Sequence, residues 1–271
     1  MQPHPIRFID LTVRDLARSV DFYRTHLELV PVEPAGPGEG RAWLSAGPAV
    51  LRLTEAGAAG RTGSWAPDDL QRGFRHVGFK VGDLDERAAR LDDAGVRFHK
   101  RPKDVPGGVH ITFFFDPDGV LLEFVQGQVQ YDRVLDGDLV ATEHARPVPA
   151  TPRFDHVAIT VDDAARSVEL YGRELGLAAA GQLVRADDPR GFEITYLHAG
   201  DSVLELFSWG VPTSAGPDTT EPDLLGFRGI GLTDADPAGV TGRLAAAGAA
   251  PAGSGEVVDP DGLVLALEGT R

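Results

Sequence analysis

DLARSVDFYRTHLEL, residues 15–29, returns at residues 163–177 as DAARSVELYGRELGL, displaced by 148 positions. Arg18 and Arg166, Ser19 and Ser167, Val20 and Val168, Tyr23 and Tyr171, Leu27 and Leu175, and Leu29 and Leu177 coincide. Two later stretches repeat in the same order. PDDLQRGFRHVGF (67–79) answers EPDLLGFRGIGL (221–232), and FDPDGVLLEF (115–124) answers VDPDGLVLAL (258–267). Self-similarity on this scale decides the fold before any single element does. Residues 6–127 and 153–268 are two copies of one plan.

Each copy divides again. FIDLTV (8–13), HVGFKV (76–81), HVAITV (156–161) and GIGLTD (229–234) alternate in the manner of strands. An amphipathic helix follows each. In the first module Asp15 is placed to cap a helix whose Leu16, Val20, Tyr23 and Leu27 recur every three or four residues, so they share one face. In the second, Leu84, Ala88 and Leu91 do the same, and Gly95 is placed to end the helix in the left-handed region. Strands follow, closed in modules 2 and 4 by the turn DPDG (116–119 and 259–262). The expected class is α+β, with modules at about 6–55, 74–127, 153–207 and 226–268. The halves are 1–127 and 153–271, and residues 128–152, aperiodic and proline-rich at their end, are a linker or strap.

Composition narrows the chemistry. Zero cysteines exclude disulfides, thiolate nucleophiles and zinc–thiolate sites, so any metal must be held by His and carboxylates. A formal net charge of −15 with no run of Lys and Arg argues against nucleic acid. The apolar runs are strand-sized, and MQPHPIRFIDL shows no basic segment leading into an apolar stretch, so neither a membrane span nor a targeting leader is expected. The expectation is a cytoplasmic protein, monomer or homodimer, acting on a small molecule.

The HVxxxV strand openings, the helix ending YxxxLxL and the DPDGxxxE close, repeated in order, resemble the vicinal oxygen chelate superfamily. That group includes glyoxalase I, extradiol dioxygenases, fosfomycin-resistance enzymes, methylmalonyl-CoA epimerase and bleomycin-resistance proteins. The resemblance covers nearly all the chain outside 128–152. It implies βαβββ modules that pair into open β cups, two cups for four modules. It also implies that each module can offer one metal ligand at the start of its first strand and one on its last. The first-strand positions are Phe8, His76, His156 and Gly229; the last-strand positions are Arg52, Glu123, Glu205 and Ala266.

Modules 2 and 3 therefore carry the ligands. If sequential modules pair, each cup has one His and one Glu, too few for a tight divalent site. If modules 2 and 3 share a cup, His76, Glu123, His156 and Glu205 converge. The second assembly is favoured, because one intact site and one blank cup explain the distribution without coincidence; the linker fits either. Arg52 reads either as a positive charge standing in for a metal in the outer cup or, the favoured reading, as an exposed strand residue; Glu268, two residues beyond Ala266, could reach the same face of module 4 but reads as an exposed terminal residue. His110, Tyr196, Phe207 and Trp209 are possible pocket residues, and His4, His26, His99, His144 and His198 read as surface or loop residues.

The resemblance implies one divalent ion, Fe, Ni, Zn or Mn, acting as a Lewis acid, with Glu123 or Glu205 moving a proton in a glyoxalase- or epimerase-like lyase or isomerase reaction. Three alternatives stay open: a metal-free binding protein of the bleomycin-resistance type, an Fe(II) dioxygenase using two His and one Glu, and a degenerate scaffold that holds no ligand.

Overall fold

The computed structural model describes residues 4–33, 40–57, 60–221, 223–253 and 255–270. Met1–Pro3 of the leader reading, Pro222 of the second repeat match and the terminal Arg271 lie outside the described residues. The first module comprises β1 (Ile6–Val13), α1 (Leu16–His26), β2 (Val30–Val32), β3 (Arg41–Ser45) and β4 (Val50–Glu55), followed by β5 (Arg61–Thr62). The second comprises β6 (Gly73–Lys80), α2 (Leu84–Asp93), β7 (Phe98–Val105), β8 (Val109–Phe115) and β9 (Leu121–Gln126). After β10 (Arg133–Val134) and α3 (Gly137–His144) comes the third module: β11 (Arg153–Thr160), α4 (Ala164–Leu175), β12 (Ala178–Arg185), β13 (Phe192–Ala199) and β14 (Ser202–Ser208). The fourth is β15 (Leu224–Asp234), α5 (Pro237–Ala246), β16 (Ala250–Gly253), β17 (Glu256–Val258) and β18 (Val264–Gly269). None of the described helices is long and apolar enough to cross a membrane.

The helices begin and end where side-chain chemistry dictates. Asp15 and Asp163 accept from the backbone N–H groups of Arg18 and Arg166, satisfying donors that a helix start leaves unpaired. Gly95 follows α2 with φ +74°, which a residue bearing Cβ adopts only at a cost.

Strand order settles which modules meet. One sheet runs β16-β17-β18-β15-β1-β4-β3-β2 and the other β10-β12-β13-β14-β11-β6-β9-β8-β7. Modules 1 and 4 thus build an outer cup and modules 2 and 3 an inner cup, joined by the antiparallel pairs β1–β15 and β11–β6. Each cup draws on both halves of the sequence repeat. Residues 128–152 are more than a strap: β10 adds to the inner sheet beside β12, and Asp136 caps α3. The segment has no apolar period because the one residue α3 buries is Glu143.

The two most recognisable repeat motifs turn out to be partners. Tyr23 of α1 donates to Asp116 of the first DPDG turn at 2.9 Å, and Tyr171 of α4 donates to Asp259 of the second at 2.5 Å. The other aspartates of these turns receive Ser19 and Arg18, and Ser167 and Arg166. Each contact ties a helix of one cup to a turn of the other. One apolar cluster, including Leu11 and Leu51 of the outer sheet and Phe79 and Leu122 of the inner, runs through both.

Candidate metal centre

In the β6–β11 register His76 lies opposite Ala158 and His156 opposite Gly78, so the two imidazoles form a diagonal pair on one sheet face. Glu123 lies beside Gly78 on β9, and Glu205 beside Ala158 on β14. Even spacing along each strand turns all four side chains into the concave face of the inner cup. Gly78 is part of the arrangement: a Cβ there would stand 2.0 Å from Cε1 of His156, so the ring occupies the space a side chain would need.

The ligand atoms converge. His76 Nε2 and His156 Nε2 are 3.1 Å apart, and Glu123 Oε2 is 3.2 Å and 2.9 Å from them. Bonds of about 2.1 Å at right angles around a single ion would set neighbouring ligand atoms about 3.0 Å apart, so this triangle is the size of one face of a coordination sphere. Glu205 Oε2 stands further back, 3.9 Å and 3.7 Å from the two nitrogens. The atoms of His76, His156 and Glu205 lie within 4.8 Å of one another.

Charge supplies the second test of fit. All four side chains are buried, with exposures between 2% and 7%. Burial pushes Glu205 up to about 7, helped by the carboxylates of Glu123 and Asp155. Burial opposes charge on Glu123 as well, but the two histidines overcome it and hold that carboxyl low. Burial lowers His76 to about 4. At His156 burial is outweighed by Glu205, Asp155 and Glu123, and its proton is held well above the usual imidazole range. Two buried carboxylates facing two imidazoles need positive charge, which protons supply here and a divalent cation would supply in their place. The donor set, two nitrogens and two carboxylates without sulfur, suits Fe, Ni, Zn or Mn.

A further layer steadies His156. Its Nδ1 lies 3.1 Å from Asp155 Oδ2, leaving Nε2 directed at the cluster. Lys80 stands 3.9 Å from Asp155 and donates to the Gly127 carbonyl. Also in the cavity lining, Glu143 accepts from Tyr131 at 2.7 Å and faces His198 at 3.2 Å, while Tyr131 packs edge-on against Tyr196. Sequence reading missed Asp155, Lys80, Tyr131 and Glu143.

Several expected placements change. His110 lies outside the cup cavity: alternation along β8 sends Ile111 and Phe113 inward and turns His110 toward Asp85 and Asp104. His4 and His198 are buried, not surface residues; His4 bonds the Leu175 carbonyl and Asp234. Arg52 is not simply exposed. Its guanidinium lies 3.3 Å from the Phe8 ring centroid, is gripped by Asp10 at 2.6 Å twice, and donates to Glu268 at 2.5 Å. Glu268, expected to be exposed, is 45% exposed, and its carboxylate accepts from Arg52.

Tyr196, Phe207 and Trp209 line a cavity of about 670 Å³ above the four-residue cluster. This is within the size range of small-molecule sites. Phe192 stacks on Trp209 at 4.6 Å and on Phe207 at 5.6 Å, making an aromatic wall.

Comparison with known proteins agrees with this architecture. The family model described as Glyoxalase/Bleomycin resistance protein/Dioxygenase superfamily matches residues 5–124 and 153–266. A lactoylglutathione lyase of Schizosaccharomyces pombe is 29% identical over 160 residues, covering 54% of this chain and 46% of its own length, so the chain spans about half of that relative. The crystal structure of glyoxalase I from Zea mays superposes with a TM-score of 0.71 at 20% identity, over 97% of this chain and 92% of that one. A putative dioxygenase from Bacillus subtilis superposes with a TM-score of 0.66 at 17% identity, over 99% and 86%. At these identities the two structures speak to the fold.

Proposed function

The chain belongs to the Glyoxalase/Bleomycin resistance protein/Dioxygenase superfamily, and from that premise we propose that its inner cup is the active site of a metal-dependent lyase or isomerase. The observation that carries the reading is the convergence of His76, His156 and Glu123 at 2.9–3.2 Å with Glu205 just behind. His76, His156 and the two glutamates would hold one divalent ion, which supplies Lewis-acid stabilisation of negative charge on substrate oxygens when bound.

The chain's own residues then divide the work. Glu123, held between both imidazoles, is anchored as a ligand. Glu205 is the looser carboxylate, set back from the triangle at 3.7 Å and 3.9 Å from the two nitrogens, and a carboxylate so placed suits a general base. It takes a proton from the carbon next to a substrate carbonyl and returns it to a neighbouring atom, so the net change is a proton shift. Phe207, Trp209 and Tyr196 exclude water around that transfer. Lactoylglutathione, acted on by the relative of that name, is the first substrate to try.

The test is turnover of lactoylglutathione with added Ni(II), Zn(II), Mn(II) or Fe(II). Glu205→Gln at saturating metal is expected to lower kcat by about 10²–10⁴-fold, the usual worth of a positioned base. Turnover unchanged in Glu205→Gln would remove that residue from the role. The triangle itself favours one second reading, an Fe(II) dioxygenase using two His and one Glu, with Glu205 outside the coordination sphere. Oxygen uptake by the Fe(II)-loaded protein with a catechol separates the two.

A further inference from the structure

The wall and rim of the inner cup specify the kind of molecule that fits it; only the placing of that molecule's reacting end rests on the proposed metal site. Seven Asp and Glu side chains line the cavity, and beside them stand six Lys and Arg side chains, in a protein whose net charge is −15. Four have carboxylate partners: Arg75 and Arg190 share Asp69 at 2.8 Å and 3.2 Å, Arg185 meets Asp187 at 3.1 Å, and Lys80 faces Asp155 at 3.9 Å. Lys100 and Lys103 have no carboxylate at ion-pair distance among the described residues.

Backbone irregularity aims both lysines inward. Residues three apart on a regular strand point to opposite faces. In β7, however, Lys100 pairs with Phe113 and Lys103 with Ile111, so three residues of β7 span two of β8. This bulge, at Arg101 and Pro102, puts both lysines on the face carrying Phe113 and Ile111, which is the cavity face. Two unpaired ammonium groups at one rim make a receptor for negative charge.

The walls ask for something different. Val105, Ile111, Leu183 and Ile194 present hydrocarbon, and the stacked Phe192 and Trp209 present ring faces. Apolar surface of this extent is best covered by an apolar ligand body. We infer that the inner cup takes an organic anion with a large apolar body, its carboxylate, sulfonate or phosphate group received by Lys100 and Lys103 and its body lying along the hydrophobic walls.

A matched pair of probes tests this: anilinonaphthalene sulfonate, and N-phenylnaphthylamine, which keeps the ring system without the sulfonate. At low ionic strength the wild-type protein is expected to bind the sulfonate at least tenfold more tightly than the amine. The Lys100→Gln/Lys103→Gln variant, altered at exposed side chains, is expected to lose at least tenfold for the sulfonate and less than twofold for the amine. Its metal content and unfolding midpoint should stay those of wild type. Val105→Glu, which puts a carboxylate on the wall, is expected to weaken both probes. Equal wild-type affinity for the two probes, unchanged sulfonate affinity in the lysine variant, or full probe binding by Val105→Glu would overturn the inference. Because the comparison runs on both metal-loaded and chelator-treated protein, a failure to bind metal leaves its outcome readable.

Discussion

Gly78 shows how closely the placing of a histidine can depend on a residue that bears no functional group. The His156 ring fills the volume of the missing side chain, with Cε1 2.0 Å from where Cβ would lie. Gly78→Ala must therefore move the ring, and metal affinity is expected to fall by at least tenfold while the sheet still forms; isothermal titration with Zn(II) reads both affinity and stoichiometry. Asp155→Asn removes the carboxylate that orients His156 through Nδ1. Such partners are generally worth 10- to 100-fold in affinity, and a loss of about that size is expected in the same titration. The convergence of His76, His156, Glu123 and Glu205 was legible through the family resemblance, which implies an inward-facing position on the first and last strand of each module. Asp155 was not legible as a partner. Successive strand residues point to opposite faces, so nothing in the pattern says that its carboxylate returns to the neighbouring ring.

Between elements, the repeated helix and turn motifs explain each other. The carboxyls of Asp116 and Asp259 are pushed by burial up to about 6, and each accepts a tyrosine hydroxyl across the two cups. The sign follows from linkage: a carboxyl whose folded pKa is raised binds its proton more tightly when folded, so its contribution to stability grows as pH falls from about 6 toward the unfolded value near 4. Asp116→Asn keeps an oxygen for the N–H groups of Asp118 and Val120 but no longer titrates. Between pH 7 and pH 5, the wild type should gain about 1 kcal/mol over this variant in denaturant unfolding. The helices and the DPDG turns were each legible from local pattern, yet their contact joins residues 93 apart and needed the fold. The β7 bulge was hidden for a related reason, since its register is set by β8 and not by the HKRPK sequence alone.

At the scale of the molecule, the pairing of modules followed from where ligands occur and where they do not. The inner and outer cups are built alike, and their centres hold opposite solutions to one problem of charge. The inner cup gathers two His and two Glu; the outer cup stacks Arg52 on Phe8 and binds that guanidinium with Asp10 and Glu268. A fixed cation in the outer cup leaves the ion to the inner one, so Arg52→Ala is expected to lower the unfolding midpoint without changing metal content. The role of residues 128–152 in extending the inner sheet escaped sequence reading because the residue that α3 buries, Glu143, is polar and leaves no hydrophobic period. The central claim is that one divalent ion sits between modules 2 and 3. Its most direct test is metal stoichiometry in protein purified without an affinity tag or chelator and then offered Ni(II), Zn(II), Mn(II) or Fe(II), compared with the His76→Ala/His156→Ala variant. The account predicts about one ion per chain in the wild type and none in the variant; a wild-type protein that binds none of the four metals, or a variant that keeps its ion, would contradict it.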